Sequence, residues 1–168
     1  MKTKRTNLER IRYLSAAGMI AAIYTVLTCI VGAFNLAGGA IQLRISEAMC
    51  ILPAFLPAAI PGLTLGCLLS NFLLGALWQD ILFGTLATLI GAVGARMLRR
   101  TSPYLIPIPT VVSNTLIIPP LLSWVYHAEQ ALPWLFVSIG VGEFLSAWVL
   151  GVALCIGLNK RSGILKRK

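Results

Sequence analysis

Apolar runs and short polar breaks alternate along the whole chain. Leu14 to Phe34 is free of charge and about 20 residues long, enough for one helix to cross a bilayer. Ala48 to Trp78 is uncharged over 31 residues, too long for one comfortable span and short for two. Ile81 to Ala95, Ile106 to Tyr126 and Leu132 to Leu158 follow, the last broken only by Glu143. Pro53, Pro57, Pro61 and Gly62 interrupt the second run, since proline removes a backbone donor and clashes with the preceding turn. The first run is too long for the core of a cleavable signal, so it reads as a membrane span.

Charge decides how often the second run crosses. One basic cluster is Lys2, Lys4, Arg5, Arg10 and Arg12; a second is Arg96, Arg99 and Arg100; a third is Lys160, Arg161, Lys166, Arg167 and Lys168. Basic residues collect on the cytoplasmic side of membrane proteins. With all three clusters inside, an even number of spans separates the first from the second, so Ala48–Trp78 must cross twice as two short helices of roughly 14 to 17 residues, about 21–26 Å each. The expectation is an all-α integral membrane bundle of six transmembrane helices in one domain, residues 1–168. Residues 1–13 form a basic cytoplasmic N-terminus and 159–168 a basic cytoplasmic tail. The localisation is the cell membrane, multi-pass.

Composition agrees: 58% of residues are hydrophobic and only 11% charged, against roughly a quarter charged in soluble domains. That excludes an ordinary soluble domain, and the placement of the net charge of +9 argues against nucleic acid as partner. The cysteines Cys29, Cys50, Cys67 and Cys155 have no metal or redox spacing and read as small buried residues. No catalytic motif and no nucleotide-binding loop is present, so the chain reads as no enzyme, and any uphill transport must be powered elsewhere.

Polar residues and aromatics concentrate at the end opposite the basic clusters. The intervening loops, Asn35–Ser46, Trp78–Asp80 and His127–Ala131, are expected outside. Glu143, about eleven residues into the last run, is the sharpest signal, because an ionisable group near half depth normally faces a partner or a ligand. Arg44 breaks the positive-inside pattern and is open between a structural and a ligand role. Ser46 reads as the N-cap of the second helix with Glu47 in its first turn, and Asp80 as an N-cap. Asn114, within an apolar run, is open between an interhelical bond and a ligand, and Gln79, Trp78, Trp124 and Tyr126 lie at this same outer end. Asn71 reads as an interhelical bond, and His127 as a solvated loop residue. On the first helix Ala17, Gly18, Ala21 and Ala22 form a stripe of small residues that permits close approach of another helix, inside the bundle or from a second membrane protein.

The run Ile41 to Ala48, with Leu52-Pro53, Pro61-Gly62-Leu63, Gly66-Cys67, Asn71 and Asp80 to Thr88, resembles the queuosine-precursor transporter (QueT) family. The resemblance covers about residues 10 to 160 and is most specific in the first two thirds. It implies a substrate-binding S component of an energy-coupling factor (ECF) transporter, whose ligand is a 7-deazaguanine such as preQ1 or preQ0. The implied partners are a transmembrane coupling subunit, which docks on the small-residue stripe, and two ABC-type ATPases. No cofactor is expected on this chain, ATP being used by those ATPases, and transport is implied to proceed by toppling of the S component. One carboxylate would accept the paired donors of a guanine-like edge, a second would favour the cationic amine of preQ1, Arg44, Asn114 or Gln79 would serve the carbonyl, and Trp78, Trp124, Tyr126 or Phe144 would stack on the ring. The competing readings are an S component for another vitamin or nucleobase, a membrane-embedded enzyme, and a channel subunit.

Overall fold

A computed structural model describes residues 2–34, 44–125 and 131–162. Among these residues all regular structure is helical, in six rods. They are α1 (Lys2–Ala33), the 3₁₀ helix α2 (Ile45–Ala54), α3 (Ala59–Leu73), α4 (Trp78–Met97), α5 (Ile108–Val125) and α6. The last is one rod of three contiguous segments: α-helical Leu132–Glu143, π-helical Phe144–Leu150 and α-helical Gly151–Ser162. Four of the rods are long and apolar enough to cross a membrane, and α2 and α3 are shorter apolar helices. The outward surface is apolar, with Met19, Phe72, Leu116 and many other large side chains exposed, as the hydrocarbon region of a bilayer requires.

Successive rods alternate in direction. Thr28 of α1 bonds Ser46 at the start of α2, while Arg96 near the end of α4 reaches the carbonyls of Pro53 and Ala54 at its end. Gly62 of α3 lies against Ala17, and Gly66 against Ala21 and Tyr24, so α3 runs parallel to α1. Gly84 of α4 faces Asn71, Gly91 and Gly94 face Thr110 and Pro109, and Gly140 of α6 faces Thr115. The start of α1, the segment after α4 and the end of α6 therefore share one end of the bundle, the end with Arg10, Arg12, Arg96, Arg99 and Arg100. The turn from α3 to α4 closes that alternation. Gly75 takes φ +72°, a left-handed conformation that suits glycine, and the amides of Gly75 and Ala76 bond the carbonyls of Phe72 and Asn71.

The division of Ala48–Trp78 matches the expected helices of roughly 14 to 17 residues in α3, of 15 residues, but not in the element before it. That element is a ten-residue 3₁₀ helix beginning at Ile45. At about 2.0 Å per residue it rises roughly 20 Å, more than the 15 Å of an α-helix of that length. It begins about one turn above the middle of the bundle, where Ser46 meets Thr28, and runs to the basic end, where Arg96 meets Pro53 and Ala54. Most of it is buried, Cys50 and Ile51 completely, and it touches α1, α3, α4 and α6. Irregular backbone at membrane depth persists only where protein covers it. α2 is thus the axis of the core, flanked by Ile20, Tyr24, Leu63 and Cys67 on one side and by Ala95, Ile106 and Cys155 on the other. α1 also starts earlier than its apolar run, since Lys, Arg and Glu are good helix formers beyond the membrane.

Candidate functional site

The polar side chains of this bundle meet in one transverse layer. Tyr24 lies nine residues from the end of α1, Thr88 ten from the start of α4, Asn114 eleven from the end of α5 and Glu143 eleven from the start of α6. At 1.5 Å per residue each is roughly 13–17 Å below the helix ends, near the middle of a hydrocarbon core about 30 Å thick. α2 brings Glu47 to the same depth.

Glu47 is fully buried. Tyr24 Oη donates to its Oε1 at 2.5 Å and Cys50 Sγ to its Oε2 at 2.9 Å. Tyr24 is itself 1% exposed and packs on Gly66, which fixes its ring. Glu143, 5% exposed, interacts electrostatically with Glu47 and Arg44 and lies beside Asn114. The Asn114 amide approaches that carboxyl without closing a hydrogen bond of normal geometry, for Asn114 Nδ2 and Glu143 Oε2 are both buried without a partner. The Oγ1 atoms of Thr110 and Thr115 are in the same condition. A buried polar atom left unpaired costs about 1–3 kcal/mol, so this wall of α5 and α6 is primed to accept a polar guest.

Arg44 immediately precedes α2 and is held by its backbone, whose N–H donates to Ser146 Oγ at 3.1 Å. Its guanidinium interacts with Tyr24, Asp80 and Glu47 as well as with Glu143. Three carboxylates thus act electrostatically on one cation, and the four groups together are net acidic when all are ionised. Such a site suits a ligand that carries donors or a positive charge.

Several residues play other parts than those read from the sequence. Ser46 is not the N-cap of α2; that position is Arg44, and Ser46 Oγ accepts from Thr28 Oγ1 at 2.8 Å. Asp80 is likewise no N-cap, since α4 starts at Trp78 and its cap position is Leu77; Asp80 lies in the first turn, where the helix dipole favours an acid. Asn71 donates to Cys67 Sγ at 3.5 Å within its own helix, with its amide against Gly84 of α4. Gln79 Oε1 is buried and unpartnered. Trp78 and Trp124 are 68% and 82% exposed and line apolar grooves of about 490 and 320 Å³ on the bundle's outer surface, away from Glu143. Tyr126, Gln42 and His127 lie outside the described residues. The stripe on α1 divides: Ala17 and Ala21 are buried against Gly62 and Gly66, while Gly18 and Ala22 face outward. Docking of a partner through Ala17 and Ala21 is therefore corrected to packing within the chain, because α3 already occupies that close approach.

Sequence reasoning missed Tyr24, Cys50 and Thr110. Tyr24 carried a usable signal: a hydroxyl near half depth of an apolar span needs a partner there, as Glu143 does.

The family model described as "QueT transporter" matches residues 14–160. The chain belongs to the QueT transporter family. It is accordingly a multi-pass membrane protein of a transporter family and not an enzyme. A curated relative, the queuosine precursor transporter QueT of Lactococcus lactis subsp. cremoris (strain MG1363), is 38% identical over 72 residues. That match spans 43% of this chain and 42% of the relative's length. No solved structure matches the chain. The matched family region includes every described residue of the mid-depth layer, from Tyr24 to Glu143.

Proposed function

We propose that this member of the QueT family is the substrate-binding membrane subunit of an ECF-type importer for a queuosine precursor, a 7-deazaguanine such as preQ1 or preQ0. The observation that carries the reading is the pair of buried carboxylates, Glu47 and Glu143, at half depth with Arg44 and Asn114 beside them. The relative's name supports the substrate class. A 7-deazaguanine offers ring N–H and amino donors to a carboxylate, and the exocyclic ammonium of preQ1 favours an acidic site. Charge-assisted hydrogen bonds of this kind are among the stronger polar contacts.

The basic end faces the cytoplasm, by the concentration of arginine and lysine there. Energy comes from two ABC-type ATPases bound to a transmembrane coupling subunit, which docks on the outward side of α1 that carries Gly18 and Ala22. Small residues allow the close backbone approach on which helix association in lipid depends. The test is uptake of radiolabelled preQ1 by cells that lack their own precursor transporter. Cells given this chain together with an ECF module should accumulate label, and cells given this chain alone should not. Accumulation by the chain alone would overturn the ECF assignment. No accumulation of preQ1 in either case, with uptake of another labelled vitamin or base by cells given this chain and the module, would overturn the substrate.

A further inference from the structure

The two mid-depth carboxylates are not equivalent. Both oxygens of Glu47 already have donors from the chain, Tyr24 and Cys50. Glu143 Oε2 has none, and neither has Asn114 Nδ2. Both residues are more than nine-tenths buried, Glu143 at 5% and Asn114 at 2% exposure. Thr110, one helical turn from Asn114 on the same face of α5, adds a third fully buried, unpartnered group. Ser113 next to them is fixed otherwise, donating to Ala87 O at 2.9 Å.

A carboxylate oxygen accepts and an amide nitrogen donates. A guest that satisfies Glu143 and Asn114 together must therefore present a donor directly beside an acceptor. A 7-deazaguanine presents that pair as its ring N–H and the adjoining carbonyl. Resting on the substrate-binding reading above, we infer that Glu143 and Asn114 read the cyclic amide edge, N–H beside C=O, of a planar nitrogen heterocycle. Glu47 is a positioning residue: Tyr24 and Cys50 hold it so that its charge backs Arg44 and Glu143 without touching that edge.

The experiment compares equilibrium binding of preQ1 with that of its analogue in which the C(=O)–NH pair is replaced by CH=N, on purified protein in detergent. Wild type should prefer preQ1 by about a hundredfold, the loss expected for two mismatched buried polar groups. Asn114→Leu and Glu143→Gln should each cut that ratio below about tenfold. Glu47→Gln should weaken both ligands alike and leave the ratio standing, with Asn114→Thr, which keeps a donor, intermediate. A wild-type ratio near one overturns the inference without any variant, so failure of a variant to fold does not shelter it. A ratio preserved in both Asn114→Leu and Glu143→Gln, or lost only in Glu47→Gln, overturns it too while the binding reading stands. Absence of any preQ1 binding by wild type overturns both.

Discussion

Removing one oxygen atom from α1 tests how the mid-depth layer is held. Tyr24→Phe keeps a ring that is 1% exposed and packed against Gly66, and deletes only the hydroxyl that donates to Glu47 Oε1. Glu47 then keeps Cys50 as its donor. A hydrogen bond to a charged group contributes about 1.5–3 kcal/mol. For a chain of this size each kcal/mol moves the melting temperature by about 2–4 °C, so Tyr24→Phe should lower it by roughly 3–12 °C. The assay is thermal unfolding of purified protein in one detergent, followed by intrinsic fluorescence. Cys50→Ser, which keeps a donor on the other oxygen, should cost less than Cys50→Ala. If Tyr24→Phe melts within about 1 °C of wild type, the bond does not hold Glu47, and the claim that this carboxylate is satisfied from within fails.

The glycine contacts between α1 and α3 make a second prediction. A Cβ at Gly66 would lie 2.8 Å from Tyr24 Cβ and 3.0 Å from the Ala21 carbonyl, so Gly66→Ala should cost about 1–3 kcal/mol in the same melting assay, whereas Gly18→Ala, with nothing within 4 Å, should be neutral in packing. On the divided stripe, Ala22→Trp should leave the purified subunit folded and binding but abolish ECF-dependent uptake, while Ala21→Trp should lose the fold; normal uptake by Ala22→Trp would move the docking surface elsewhere. Single cysteines placed at Arg100 and Ala131 should react with an impermeant maleimide from opposite faces of the membrane, position 131 from outside; labelling from one side would contradict the alternating course of α4, α5 and α6.

Much of the fold was written in the apolar runs, because a helix in lipid must satisfy its own backbone and so needs an uninterrupted apolar stretch. The parity of the basic clusters forced two elements out of Ala48–Trp78, and two are there. Their unequal lengths were hidden, because a 3₁₀ helix stabilised by tertiary cover has no periodicity of its own to read. Glu143 was legible as a charge where charge is costly. Glu47 was legible as an acid in the first turn of its helix, where it stands, but not as a buried group, and Asp80 as an acid at a helix start but not in its position within the first turn, since a helix-start signal and a buried site look alike in one sequence. The tryptophans misled for the opposite reason: an aromatic near a helix end serves the membrane interface as readily as a ligand, and Trp78 and Trp124 are exposed on the outer surface. The partition of α1 into a buried side at Ala17 and Ala21 and an open side at Gly18 and Ala22 depended on Gly62 and Gly66 of another helix, which no local pattern reveals.

The central claim is that Glu143 at half depth binds the imported base. Calorimetric titration of preQ1 into purified wild-type protein and into Glu143→Gln addresses it most directly, with melting curves recorded to show that both are folded. Saturable binding by wild type and at least a tenfold weaker constant in the folded variant, about 1.4 kcal/mol, is the predicted result. Equal affinity in the two proteins would contradict it.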